Sequence, residues 1–287
     1  MKIVRTVAEL RAEVAGARAV GSRIGLVPTM GFLHQGHLAL VRRARELAGY
    51  VVATLFVNPA QFNDPKDLER YPRSEARDAE LLAGAGADLL FAPAAETVYP
   101  PGFATTVRVA GVTGPLEGAV RGPAHFEGVA TVVTKLFIMA TPDVACFGQK
   151  DAQQVLVVKR LVRDLDLPIA IEVVPTVREP DGLAMSSRNA LLTPEDRARA
   201  PALWRALSAV GAAVRSGVGD LGRALEAGRA ELRLAGVEPE YFEIVDADSL
   251  APPDEERGGL LVVVAARLGS VRLIDNLPIV RLGPPGC

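Results

Sequence analysis

The chain has 287 residues, 49% hydrophobic and 23% charged, with a formal net charge of −2. Length and composition predict a soluble globular protein of two domains that can bury a sizeable core. The charge balance excludes the basic excess that non-specific nucleic-acid binding needs, so no nucleic-acid partner is expected. There is no run of 18 apolar residues, and no membrane span is expected. The opening MKIVRTVAELRAEV has scattered charges and no apolar core, and does not read as a signal peptide. Cys146 and Cys287 form neither a metal spacing nor a disulfide framework, which suits a reducing cytoplasm.

Residues 24–27 are the first expected strand. They run into PTMGFLHQGH (28–37), which holds two of the three histidines, and then a helix over 37–48. YVVATLFV (50–57) is the second strand and ends in NPAQF (58–62). A helix over 74–85, the strand DLLF (88–91), a helix over 126–140 and the strand DVACF (143–147) follow. FGQKD (147–151) leads into a helix over 151–165, and the strand IAIEVV (169–174) leads into PTVRE (175–179). These runs are apolar on both faces, as in a buried parallel sheet. Strand and helix alternate, which predicts an α/β fold: a Rossmann-like domain over residues 1–178.

The pattern then breaks. Pro180, Asp181 and Gly182 mark a turn ahead of MSSRN (185–189). Thr193-Pro194-Glu195-Asp196 has a hydroxyl cap, a proline at the first helical position and acids in the first turn, so a helix is expected from 194 to 216. A second is expected over 220–235, then strands over 240–246 and 260–267, a turn at Gly269 and a short run over 271–274. This predicts a smaller α+β C-terminal domain over 179–287, and the Gly/Pro cluster at 283–286 reads as a frayed tail.

Every polar cluster of the first domain falls at the carboxyl end of an expected strand, where open α/β sheets bind ligands. His34 and His37, three apart at a helix start, point the same way. The neighbouring glycines allow close backbone approach, and the helix N-terminus offers N–H donors, a combination suited to a polyphosphate. The alternative is that one histidine caps the helix and the other sits in the core. Asp151 and Gln154 also match a helix capping box.

The pattern T-M-G-x-L-H-x-G-H resembles the HxGH signature of the nucleotidyltransferase superfamily. PTMGFLHQGHLALVRRA, FVNPAQFNDPKDLERYPR, HFEGVATVVTKLF, CFGQKDAQQ and VPTVREPDGLAMSSRNALLT, in that order, resemble the pantoate–β-alanine ligase family. The likeness runs from about residue 24 to 200 and extends weakly to LLVVVAARLGSVRLIDN. It implies a two-step ligation: the pantoate carboxylate attacks the α-phosphate of ATP, and the amine of β-alanine then attacks the resulting adenylate. It also implies a homodimer.

By that resemblance His34 and His37 face the ATP phosphates, and Gly31, Gly148, Val177 and Met185 line the nucleotide site. Met30 lies in the turn, where its backbone can contact either substrate. Lys150 binds phosphate and Asp151 the ribose. Ser186, Ser187 and Arg188 form a second ATP loop that clamps a triphosphate straddling both domains, with a polar hinge as the plainer reading. Gln61 and Gln154 read the hydroxyl and carboxylate of pantoate, and Asn58 and Tyr71 line the site. Tyr71 reads equally as a packing residue, and His125 as a site residue or a helix-start cap. Asp78 matches an acidic family position and is a candidate ligand for Mg2+, or else an exposed helix carboxylate. Gln35 and Gln149 stand where the family usually has glutamate. The segment between LEG and HF is one residue longer than usual, so Arg121 matches the family's arginine only from its left side. Two rivals are an HxGH enzyme that transfers AMP to a phosphate, which favours basic acceptor groups, and a nucleotide-sensing module without turnover.

Overall fold

The computed structural model of the protein describes residues 1–62, 65–217, 220–254 and 259–280; the tail expected at 283–286 lies outside them. The chain divides into two compact units. One comprises Met1–Gln149 and Gln153–Pro175, the other Lys150–Ala152 and the chain from Thr176 onward.

The first unit opens with a strand, β1 (Lys2–Val4), and a helix, α1 (Val7–Ala19), both ahead of the first strand expected from sequence. The Thr6 hydroxyl accepts from the Glu9 N–H while the Glu9 carboxylate accepts from the Thr6 N–H, so two of the helix's otherwise unpaired donors are satisfied. In chain order there follow β2 (Ile24–Thr29), α2 (Gln35–Leu47), β3 (Tyr50–Leu55), α3 (Pro65–Arg70), α4 (Glu75–Ala85), β4 (Leu89–Phe91), α5 (Ala95–Val98), α6 (Glu117–Arg121), α7 (Pro123–Ala140), β5 (Val144–Gly148), α8 (Ala152–Asp164) and β6 (Ala170–Val174).

The six strands are parallel, in the order β1-β4-β3-β2-β5-β6. Val51, Val52 and Ala53 are fully buried, as expected of a strand covered on both faces. One core layer joins Val27, Val51, Ala53 and Leu90 of the sheet to Val41 and Ala44 of α2 and Leu82 of α4. The chain moves outward from β2 through β3 and β4, then returns to lay β5 on the other side of β2. That reversal makes the carboxyl ends of β2 and β5 the switch point at which such sheets bind ligands. The histidine turn leaves β2 at this point, and Gly148 ends β5 there.

Helix α7 packs against a 3-10 turn, Pro59–Gln61, which carries the NPAQ motif. A Cβ on Gly128 of α7 would lie 2.2 Å from the Ala60 carbonyl oxygen, so only glycine lets the helix approach this backbone.

The second unit contains α9 (Pro194–Arg199), α10 (Ala202–Arg215), α11 (Leu221–Leu234) and the strands β7 (Pro239–Asp246), β8 (Leu260–Leu268) and β9 (Val271–Ile279). The strands form an antiparallel meander, β7-β8-β9. Leu203, Leu207 and Val210 of α10 pack with Val262 and Val264 of β8 in its core. The single helix expected over 194–216 is instead two, with the break at Pro201, whose ring lacks an N–H and crowds the preceding turn. The run expected over 271–274 extends to Ile279, through Asp275 and Asn276, both buried. Among the described residues no helix is long and apolar enough to cross a membrane.

Replacing Gly128 with alanine pushes α7 off the NPAQ turn. The expected cost is about 1–3 kcal/mol of stability, typical of overpacking a tight contact. Urea unfolding reads it; an unchanged midpoint would contradict the close approach.

Candidate active site

The turn after β2 is held by an acid from another helix. Asp78 of α4 is fully buried, and its carboxylate accepts from the Phe32 N–H at 2.7 Å and the Leu33 N–H at 2.9 Å. Gly31 and Phe32 both have positive φ, 87° and 51°. A left-handed phenylalanine costs of order 1–3 kcal/mol and persists only where its surroundings hold it. Thr29 braces the same turn, its hydroxyl donating to Thr54 O at 2.7 Å and accepting from Gly31 N at 3.3 Å.

His34 is the N-cap of α2. Its Nδ1 accepts from Gly36 N at 3.1 Å, and His37 Nδ1 accepts from His34 N at 3.3 Å. The ring centroids are 4.1 Å apart, and both residues are half-buried. Both imidazoles therefore cap the helix, where the sequence had suggested one capping and one core histidine as the alternative to phosphate binding. A ring nitrogen that accepts an N–H carries no proton, so each neutral ring has its proton on Nε2 and presents a donor there.

A second cluster surrounds the NPAQ turn. Gln61 Nε2 donates to Met30 Sδ at 3.0 Å, and Asn58 Nδ2 donates to Gln61 Oε1 at 3.0 Å and to Gly128 O at 3.1 Å. Tyr99 donates its hydroxyl to Asn58 Oδ1 at 2.8 Å; burial pushes that phenol up to about 12, so it stays a donor. His125 Nδ1 lies 2.9 Å from Gln61 O. It is the third residue of α7, whose N-cap is Gly122, so it braces Gln61 and is not the helix cap. Tyr71 packs edge-on against Phe62, with ring centroids 5.7 Å apart.

Met30, Asn58, Gln61 and His125 thus meet in one place. Arg121 Nε donates to the buried Glu117 carboxylate at 2.8 Å. In the segment that is one residue longer, α6 ends and Gly122, with φ of 79°, turns the chain into α7. Gln154 is half-buried, and among the described residues its side chain makes no hydrogen bond. Its neighbour Gln153 does: it accepts from Glu117 N and donates to Val112 O and Pro115 O.

In the second unit, Lys150 has an 18% exposed side chain, 3.7 Å from the Asp151 carboxylate. Asp151 closes a 3-10 turn ahead of α8, and the capping box with Gln154 does not form among the described residues. Val177 and Met185 face each other across a short hairpin, Met185 N donating to Val177 O at 3.0 Å. Ser186 caps the next 3-10 turn, Ser187–Leu191, with its hydroxyl accepting from Arg188 N at 3.3 Å; Arg188 is exposed. The Thr176 hydroxyl and Asn189 Oδ1 are buried without a hydrogen-bond partner, which a ligand at this loop can supply.

Residues 2–278 match the model of the pantoate-beta-alanine ligase family. The chain belongs to that family. It is 56% identical over 278 residues to the pantothenate synthetase of Cereibacter sphaeroides, covering 96% of this chain and 99% of that one. The corresponding figures for the Rhizorhabdus wittichii pantothenate synthetase are 54% over 280 residues, 97% and 99%. The fold is similar to the crystal structure of pantothenate synthetase from Thermus thermophilus, with a TM-score of 0.91, 51% identity, and 96% and 99% coverage. It is also similar to the Francisella tularensis pantoate-beta-alanine ligase complexed with beta-gamma ATP and beta-alanine, with a TM-score of 0.80, 32% identity, and 96% and 97% coverage.

Within this ligase fold one assignment needs correction. Asp78 is neither an exposed helix carboxylate nor a fitting magnesium ligand, since it is fully buried and both its oxygens accept backbone N–H groups. Among the described residues no group of three His, Cys, Asp or Glu side chains could hold a metal ion. Tyr99, Gln153 and Glu117 were not singled out from sequence; nothing local in AETVYPP, LEGAVR or CFGQKDAQQ distinguishes them.

Asp78→Asn keeps the shape but weakens the grip on the turn. Its kcat is expected to fall about 10–100-fold with an unchanged circular dichroism spectrum, since small misplacements of catalytic groups carry costs of that order. A wild-type kcat would show that the carboxylate does not position the histidines.

Proposed function

We propose that the histidine turn and the NPAQ cluster of the first unit, with Lys150 and the Ser186–Arg188 loop of the second, divide one reaction between them. The reaction is the ATP-dependent ligation of pantoate and β-alanine to pantothenate through an adenylate, with release of AMP and pyrophosphate. In the first step a pantoate carboxylate oxygen bonds to the α-phosphorus and the bond to the β-phosphate oxygen breaks. In the second the amine of β-alanine attacks the acyl carbon and AMP leaves. Neither step calls for a protein nucleophile, so the side chains act by positioning and by stabilising charge.

The observation that carries the reading is the doubly capped start of α2. Two imidazoles fixed by backbone bonds through Nδ1 present Nε2 donors beside a helix N-terminus, an arrangement suited to phosphate oxygens as charge develops. Gly31, Gly148 and the backbone of Met30 are assigned to substrate contacts in the first unit, and Lys150, Ser186, Ser187 and Arg188 are the phosphate-binding candidates of the second. Asp151 takes the ribose, with Val177 and Met185 beside the nucleotide. Pantoate falls to Gln61 and Gln154, whose neutral amides read an alcohol without trapping charge, with Asn58 and His125 supporting Gln61. ATP chemistry calls for Mg2+, which prefers phosphate, carboxylate and water oxygens; with Asp78 committed to the turn, the phosphates of ATP are its ligands in this reading. The reading also carries a homodimer acting in the cytoplasm.

Two variants test the division of labour. His37→Ala is expected to fold normally and to lose about 100- to 1000-fold in pantoate-dependent pyrophosphate release, the range seen when one stabilising donor is removed; unchanged release would count against the phosphate role. Gln61→Ala is expected to raise KM for pantoate about tenfold or more, while KM for ATP moves less than about twofold. Equal effects on both would contradict the acceptor role.

A further inference from the structure

The RLIDN stretch near the end of the sequence shares in the family likeness but has no part in the chemistry above. Its Asp275 and Asn276 lie on β9 and are each 4% exposed. Two adjacent buried polar residues in a strand are costly unless both are fully bonded, and each is bonded to an element assigned to ATP. Asn276 donates its side-chain amide to the backbone oxygen of Lys150 at 2.9 Å. Asp275 accepts two bonds from Arg178, at 2.6 and 3.0 Å. Arg178 also donates to Gly182 O at 3.1 Å, and its guanidinium stacks 3.6 Å from the ring of Trp204. Arg178 and Ala184 form the bridge of the hairpin that delivers Met185, Ser186, Ser187 and Arg188. A Cβ on Gly182, where φ is +91°, would lie 2.1 Å from Trp204, so the hairpin is pressed onto the tryptophan.

We propose that Asp275 and Asn276 are positioning residues for ATP: the middle of β9 holds Lys150 through Asn276 and the serine-arginine loop through Asp275 and Arg178, so that both phosphate-binding elements are fixed to one rigid support. This explains why Lys150–Ala152, flanked in sequence by residues of the first unit, groups with the second. A bidentate guanidinium–carboxylate pair fixes direction as well as distance, and a buried amide bonded to a carbonyl fixes the backbone from which the lysine extends. The proposal rests on the assignment of Lys150 and Ser186–Arg188 to ATP.

The test is a double-mutant cycle read as affinity for the β,γ-methylene analogue of ATP by calorimetry, alongside KM for ATP and for pantoate. Lys150→Ala must itself weaken the analogue; if it does not, the assignment of Lys150 fails and the proposal with it. Given that weakening, Asn276→Ala is expected to weaken the analogue about tenfold and to leave KM for pantoate within about twofold. The double variant is expected to match Lys150→Ala within about twofold, because the two act through one contact. Multiplied losses, or losses of equal size for pantoate, would overturn the positioning role, as would wild-type affinity in Asn276→Ala. Asn276→Asp keeps the side chain's size, removes the donor and replaces the alanine variant should that one not fold; failure of both to fold would show a purely structural role. Arg178 is tested through Asp275→Asn, whose effect is expected to appear in ATP affinity together with a shift in the emission of Trp204, the chain's single tryptophan. An affinity loss without a change at Trp204 would detach the loop from this support.

Discussion

The Asp78 carboxylate accepts the consecutive N–H groups of Phe32 and Leu33, and its side chain is fully buried. Each of those N–H groups would cost about 1–3 kcal/mol if left unpaired. A left-handed Phe32 costs a similar amount. Two satisfied donors are therefore enough to outweigh the strain, and the turn keeps a geometry that its own sequence disfavours. The placement of the histidines depends on it. The turn aims the chain into α2, whose start carries both of them, and the caps those histidines make set their tautomers. A buried acid from α4 thus reaches the proposed phosphate chemistry through backbone alone.

The second unit uses the same device with different residues. Burial pushes the Asp275 carboxyl up from its ordinary range, and the Arg178 guanidinium pulls against that shift. Removing either partner would leave an uncompensated buried group, a far larger penalty than the net worth of the pair. Rigid support of loops by buried, fully bonded polar groups is what a ligase without a protein nucleophile requires, since its contribution is placement of two substrates and of charge.

The parallel sheet was legible because β2, β3 and β5 are apolar on both faces, a pattern that survives without knowledge of the fold. The histidine pair was legible for a similar reason: H-x-G-H at a strand end is rare and local. Other parts depend on contacts distant in sequence. The length of β9 was hidden because Asp275 and Asn276 read as polar loop; they pair with β8 as strand, and their partners Arg178 and Lys150 satisfy the polar groups that this buries. Asp78 read as a magnesium ligand or an exposed helix acid, because its partners lie 45 and 46 residues away. Tyr99 carries no motif and is identified by the amide it meets; Gln153 lies in CFGQKDAQQ, but only the backbone it meets separates its role from that of Gln154. The break at Pro201 was missed although its signal is local, since a proline inside a helical run removes a hydrogen bond and crowds the preceding turn. The capping of α1 by Thr6 and Glu9 was missed in the same way, although its signal is local.

Amide hydrogen exchange at Phe32 and Leu33 tests the dependence on Asp78 most directly. In the native protein both amides are expected to be protected, like those of the adjoining strand β2. In Asp78→Ala they are expected to exchange at least about 100-fold faster, while the amides of β2 keep their protection, since local opening need not follow the stability of the core. Unchanged protection at both amides in that variant would contradict the account, because the turn would then be held by something other than the carboxylate.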